Sequence, residues 1–187
     1  FEEIESAELL GRPEVELDAA RLVNEIDRAV VLVTGGGGSI GSELCRQISE
    51  LGPARLIILG AGEGSIYQIQ QELNTSFPNQ DTRAAIADMR NREKIDRLFD
   101  AYTPDIVFHA AAKKHVPFME SDPDEAVSTN VFGTYNVALA AQRVRTKKFV
   151  LISTDKAVNP TSVMGATKRL AELMLHHIAK TSVHTSY

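Results

Sequence analysis

The chain is poor in cysteine, in long apolar runs and in positive charge. Cys45 is the only cysteine among 187 residues, so no disulfide can form within the chain. That fits a reducing compartment. Cys45 falls between Leu44 and Ile48 in a helical pattern and reads as a small buried packing residue. No apolar run approaches the roughly 20 residues that cross a bilayer, and no signal-peptide pattern is present. The net charge of -5 argues against nucleic acid as the main partner. Lys147-Lys148, the basic doublet near a strand, reads equally well as a solvated strand start. There is no repeat at solenoid spacing and no low-complexity tract. Phe1 is not an initiator methionine, and the polar tail 181–187 stops where a further strand is due. The expectation is a chain truncated at both ends.

What is present suits one globular domain: 43% apolar and 24% charged residues over 187 positions. Residues 1–28 are acidic, carry Gly11-Arg12-Pro13 and lack a strong period. They read as a lead-in that packs loosely on a domain spanning 29–187. From Ala29 onward, short apolar runs alternate with amphipathic stretches. Strands are expected at 29–34, 55–59, 83–87, 105–110 and 148–152, and helices at 39–51, 63–76, 91–102, 122–143 and 162–180. Asp122, Pro123 and Glu125 give the fourth helix a cap, a first-turn proline and a capping-box acid. Five strands each followed by a helix predict an α/β fold with a doubly wound parallel sheet.

Thr34-Gly35-Gly36-Gly37-Gly38-Ser39-Ile40-Gly41 links the first strand to the first helix of this series. A dinucleotide pyrophosphate needs backbone N–H groups at a helix N-terminus and no side chains in its way. Gly36, Gly38 and Gly41 fit one glycine spacing; Gly35, Gly38 and Gly41 fit another. The expected cofactor is NAD or NADP. Gly60 stands where an acid for the adenosine ribose is usual, and no cation lies between Gly60 and Ile66, so the choice between the two stays open. Asp88 suits an adenine amino group, or the cap of the following helix, and Met89 suits the adenine face. Ala110, Ala111 and Ala112 are small enough for backbone to approach a cofactor, or simply for tight packing. Lys114 and His115 follow in a loop, as substrate contacts or as a solvated turn. At the end of the fifth strand, Ser153-Thr154-Asp155-Lys156 crowds a hydroxyl, a carboxylate and an ammonium together, either as a site or as a surface ion pair. Met164 and Lys168 share a helix face four residues apart.

The stretches TGGGGSIGSELCRQI, PDIVFHAAAKKHVPFMESDPDEAVSTNVFGTYN and FVLISTDKAVNPTSVMGATKRLAELM resemble the polysaccharide-biosynthesis nucleotide-sugar 4,6-dehydratases. These are extended short-chain dehydrogenases/reductases with a Rossmann fold, similar to UDP-N-acetylglucosamine dehydratases. The likeness covers nearly all of 29–180, and 9–18 resembles the segment that joins a membrane region to the catalytic domain in long members. It implies a UDP-sugar substrate, oxidation at sugar carbon 4, loss of water across carbons 5 and 6, and hydride return. It places Thr154 near the 4-hydroxyl, Asp155 as the acid, Lys156 as the base at carbon 5 and Lys168 at the nicotinamide ribose. It also implies a substrate-binding part beyond the present C-terminus, and a cytoplasmic location either free or as part of a membrane protein. Met164 stands where many members carry tyrosine, and a thioether takes up no proton. Lys113 also departs from the pattern. A nucleotide-sugar epimerase and a non-catalytic cofactor-binding module are the alternatives. Homo-oligomer formation is left open, and no metal ligand set is evident.

Overall fold

The structure, a computed structural model, describes residues 19–187, with side chains from Leu22 onward. The Gly11-Arg12-Pro13 turn and the 9–18 resemblance lie outside the described residues. Within the lead-in, α1 (Ala19–Ile26) is helical, and Ile26 is buried against the domain.

Five strands follow: β1 (Val30–Thr34), β2 (Arg55–Gly60), β3 (Thr82–Ile86), β4 (Ile106–His109) and β5 (Lys148–Leu151). All pair in parallel in the order β3-β2-β1-β4-β5, the doubly wound sheet that the alternating pattern predicts. The apolar runs are continuous because both faces are covered. Val31, Val33, Leu56 and Ile58 face α2 (Ser39–Glu50) and α3 (Glu63–Ser76), where they meet Cys45, Ile48, Ile66, Ile69 and Leu73. Leu32, Ile57, Leu59 and Val107 face α4 (Arg92–Tyr102), α7 (Thr134–Arg143) and α8 (Val163–Thr181), where they meet Ile95, Phe99, Val137, Ala141 and Ile178. Cys45 is buried, as expected, and desolvation pushes its thiol up to about 12. No helix among the described residues is long and apolar enough to cross a membrane.

The strand starts are tied by charge. The Asp105 carboxylate accepts from the Val30 N–H at 2.9 Å and pairs with Lys147 at 3.0 Å. Lys148 pairs with Glu25 of α1. The basic doublet is therefore spent on neighbouring acids.

Between β4 and β5 the chain departs from expectation. Two short helices, α5 (Val116–Ser121) and α6 (Pro123–Ala126), precede a π-helical segment, Val127–Gly133, that runs into α7. Helical structure does start at Pro123, but Asp122 makes no side-chain cap bond. Its expected partner Glu125 is instead engaged in ion pairs with Arg90 and Lys113, whose charges outbid a backbone amide. Asn91 rather than Asp88 caps α4, accepting from the Lys94 N–H at 3.0 Å.

At the ligand end of the sheet, His109 is fully buried. Its Nδ1 lies 2.7 Å from Thr34 Oγ1 on β1 and its Nε2 lies 2.9 Å from Thr134 Oγ1 on α7. Burial, aided by the charge of Lys168, pushes its pKa from 6.5 down to about 3. Above about pH 6.5 the ring is neutral in both folded and unfolded chains. As pH falls through the window between 6.5 and 3, the unfolded chain gains a proton that the folded one refuses, so stability is lost. The expected loss from this group between pH 7.5 and 5 is about 2 kcal/mol. Chemical denaturation of the wild type and of His109→Gln at both pH values measures it. The variant's stability should fall with acid by that much less; equal losses would show that His109 is not held neutral.

Candidate functional site

β1 is flanked by β2 on one side and β4 on the other, so the connections leave its end in opposite directions and open a crevice there. The glycine loop fills that position. Gly35 has φ +67°, and a Cβ there would lie 2.7 Å from the Ala111 backbone. At Gly41 a Cβ would lie 2.1 Å from the Gly35 carbonyl oxygen. These two positions admit only glycine, because backbone stands where a side chain would begin. Gly38 is the N-cap of α2 with no side-chain cap. The N–H groups of Ser39, Ile40 and Gly41 accordingly begin the helix without intrahelical acceptors and carry the positive end of its dipole.

A cleft of about 420 Å³ runs from this loop past Gly60, Ala61 and Gly62 to Asp88, Met89 and Arg90, and back along 110–114. It brings together every residue assigned to the cofactor from the sequence except Lys168. Its floor includes Thr129, which is nine-tenths buried and whose Oγ1 has no hydrogen-bond partner. A cradle of backbone N–H groups and glycines at a helix N-terminus fits a phosphate-bearing ligand. At Gly60 a Cβ would meet Ile66 Cδ1 at 2.9 Å, so a side chain there requires that methyl to shift.

Two features of the cleft escape sequence reading. The first is the π-helical segment. It carries both Thr129 and Asn130, whose amide accepts from the Lys113 N–H at 2.8 Å and donates to the Lys113 carbonyl at 3.0 Å and to Thr167 Oγ1 at 3.1 Å. Such segments recur at functional sites. The available signal is Thr-Asn followed by Gly133 inside a helical pattern. Gly133 is required because a Cβ would lie 2.6 Å from Met89 Cγ. The second is Arg90. Its guanidinium grips Asp88, with Nη2 to Oδ2 at 2.7 Å, and reaches Glu125 at 2.9 Å. That grip holds the Asp88 carboxyl below the usual carboxylate range.

The second group of residues gathers at the end of β5. A 3-10 turn, Asp155–Ala157, starts at Thr154, whose Oγ1 accepts from the Lys156 N–H at 3.4 Å and donates to Asp155 Oδ1 at 2.9 Å. Lys156 Nζ lies 3.3 Å from the same oxygen. The Thr154 hydroxyl, then the Lys156 ammonium, hold the Asp155 carboxyl below its ordinary value. Both charged side chains are open to water, Asp155 at 85% and Lys156 at 55% exposure. Gly165 presses α8 against this turn: a Cβ would lie 2.2 Å from the Lys156 carbonyl oxygen. Lys168, one turn further along, is 5% exposed and donates to the Ile152 carbonyl at 2.6 Å. Desolvation pushes its pKa down to about 8, against the pull of Glu172. Ser153 is turned away from the cluster and bonds Glu172. Met164 is buried with Met119 and Ala126 in a small apolar group. It is a packing residue there, with no proton to give or take.

Lys114 and His115 lie in neither group alone. They line a neighbouring cavity of about 300 Å³ with Lys113, Phe118, Met119, Asp122 and Glu125. Lys113 and Lys114 line the larger cleft as well. His115 meets the Phe118 ring edge-on at 6.1 Å.

The chain is similar to several known proteins. It is 48% identical over 188 residues to the capsular polysaccharide biosynthesis protein CapD of Staphylococcus aureus, covering 100% of this chain and 31% of that protein. It is 51% identical over 181 residues to the probable polysaccharide biosynthesis protein EpsC of Bacillus subtilis, covering 96% and 30%. With a UDP-N-acetylglucosamine 4,6-dehydratase (inverting) of Campylobacter jejuni it shares 37% identity over 139 residues, 74% of this chain and 40% of the relative. Among solved structures, Pen from Bacillus thuringiensis superposes with a TM-score of 0.80 at 34% identity, covering 87% of this chain and 49% of that one. A UDP-glucose 4-epimerase from Brucella ovis in complex with NAD shares the fold, with a TM-score of 0.69 at 23% identity over 81% of this chain and 48% of that one. The chain thus spans less than a third of CapD and EpsC and about half of the solved structures. The model of one family, described as polysaccharide biosynthesis protein, matches residues 31–187, and the chain belongs to that family.

Proposed function

We propose that this chain is the cofactor-binding part of a nucleotide-sugar 4,6-dehydratase that acts on a UDP-N-acetylglucosamine-like sugar in surface polysaccharide biosynthesis, in the cytoplasm. The observation that carries the reading is the glycine cradle at the α2 N-terminus, continuous with the cleft that reaches Asp88 and Met89. The domain reading is that 29–187 form the NAD(P)-binding unit and 1–28 a lead-in to it.

Gly35, Gly38, Ser39, Ile40 and Gly41 would hold the pyrophosphate, Asp88 and Met89 the adenine, Ala110–Ala112 the dinucleotide backbone, and Lys168 the nicotinamide ribose. A bound nicotinamide supplies hydride acceptance from sugar carbon 4 and hydride return at carbon 6. The remaining chemistry falls to the end of β5. Lys168, held by the Ile152 carbonyl, keeps a positive potential beside the ribose. Thr154 orients the 4-hydroxyl. With the ion-pair proton moved from Lys156 to Asp155, the neutral Lys156 amine takes the proton at carbon 5 and Asp155 gives its proton to the 6-hydroxyl, which departs as water. In water Asp155 is ionised, because Thr154 and Lys156 both favour the carboxylate. Its role as an acid therefore requires that bound sugar exclude water and raise its pKa. Since Met164 is a packing residue, the 4-hydroxyl proton passes to Lys156, Asp155 or water. Lys114 and His115 would meet the substrate's phosphates.

The epimerase alternative has support from relatives such as a UDP-glucose 4-epimerase of Rickettsia canadensis, 38% identical over 146 residues. The paired Asp155 and Lys156 favour elimination, since epimerisation removes no water. Mass spectrometry of the product of the full-length parent decides: dehydration gives loss of one water, epimerisation an unchanged mass. In that parent, Lys156→Ala is expected to abolish the dehydrated product, and retained turnover would remove Lys156 from the mechanism. For cofactor binding, Gly41→Ala should sharply weaken NADH binding measured by fluorescence titration. Gly64→Ala, where nothing lies within 4 Å of the added Cβ, should leave it unchanged. Equal affinities in the two variants would place the cofactor elsewhere.

A further inference from the structure

Asp88 is the group on the cleft wall suited to accept from a purine amino group, yet both of its oxygens already face Arg90. Oδ1 receives the Arg90 N–H at 2.9 Å and Arg90 Nε at 3.1 Å; Oδ2 receives Nε at 2.9 Å and Nη2 at 2.7 Å. The Nε–H is shared between the two oxygens, so three N–H groups face about four acceptor positions, and the guanidinium lies across the edge that a ligand would approach. The backbone on this side is fixed, because Asn136 Nδ2 donates to the carbonyls of Met89 and Arg90 at 3.0 and 3.3 Å. Only the Arg90 side chain is free to yield.

It has somewhere to go. Its Nη1 already donates to Glu125 Oε1 at 2.9 Å, and the other Glu125 oxygen lies 3.6 Å from Lys113 Nζ. Arg90, Glu125 and Asp88 are each about 40% exposed, and partly exposed ion pairs exchange partners at little cost. Arg90 lines the cleft, whereas Glu125 stands outside it on the wall of the neighbouring cavity. A shift of the guanidinium toward Glu125 would thus clear the purine edge of Asp88 without moving the backbone.

We propose that Glu125 is a positioning residue for cofactor recognition: it receives Arg90 when the purine amino group displaces that side chain from Asp88. This rests on the cofactor reading above. A ligand with an amino group at the purine 6-position is then read by Asp88, and an analogue lacking it is not. Removing Glu125 strands Arg90 on Asp88 and erases the distinction.

The test compares NADH with reduced nicotinamide hypoxanthine dinucleotide, which lacks the amino group, by fluorescence titration. The wild type should prefer NADH by on the order of tenfold, the contribution of one hydrogen bond to a charged acceptor. Glu125→Ala should bring the two affinities close to parity, and Glu125→Ala with Arg90→Met should restore the preference by freeing Asp88. The proposal is overturned if Glu125→Ala keeps the preference, if it weakens both ligands equally as a purely structural residue would, or if the double variant stays at parity. A wild type that binds both dinucleotides equally also overturns it while leaving the cofactor reading standing. A wild type that binds neither removes both.

Discussion

The ligand end of this molecule depends on how closely two backbones approach one another. Gly35 and Ala111 meet where β1 and β4 end side by side, with a separation that has no room for a Cβ. That contact sets the shape of the glycine turn and so the direction in which α2 leaves the sheet. It is maintained from below by the buried hydrogen-bonded line Thr34–His109–Thr134, which joins β1, β4 and α7. Thr34 Oγ1 also accepts from the Ala111 N–H at 3.3 Å, so the same hydroxyl anchors both loops. Full desolvation, aided by the charge of Lys168, keeps the His109 imidazole neutral.

The sheet was legible in the sequence because each strand is an apolar run buried on both faces and bounded by turn residues. The strand order was not legible in the same way, since the alternation fits more than one doubly wound arrangement and packing selects β3-β2-β1-β4-β5. The glycine loop was legible for a different reason, in that its chemistry is local: backbone donors, small residues and a helix start lie within eight positions. Between β4 and β5 the local signals misled. Asp122 and Glu125 have the spacing of a capping box, but Glu125 lies within reach of Arg90, from the turn after β3, and of Lys113. An ion-pair network assembled from three segments has no counterpart in one-dimensional spacing. The π-helical segment escaped for the same reason, since what stabilises it is Asn130 bonding to the backbone of Lys113.

The two halves of the site differ in how finished they are. The glycine cleft is built largely from backbone and small residues, with the half-exposed Asp88 and Arg90 on its wall. The cluster at the end of β5 is mostly open, and its acid is ionised by its neighbours. Lys168 alone there is buried and partly neutralised by burial. In the proposed reaction the first half sets where the dinucleotide lies, and the second acquires its working protonation states only when covered. Electrostatic pull between Asp155 and Lys156 at 3.3 Å is weak in water and grows as water leaves.

The π-helical turn also bears on which changes this stretch can absorb. A π-helix differs from an α-helix by about one residue wedged into the coil. Removing one residue between Val127 and Gly133 would take out that wedge and leave α7 in phase, whereas carrying the same seven residues through ordinary helix would rotate everything beyond them by about 100°. Thr134 would then leave His109, and the face of α7 that packs on the sheet would turn toward solvent. The wide turn is consequently what keeps the two ends of this stretch in phase, and Asn130 and Gly133 are the residues that let it stay wide.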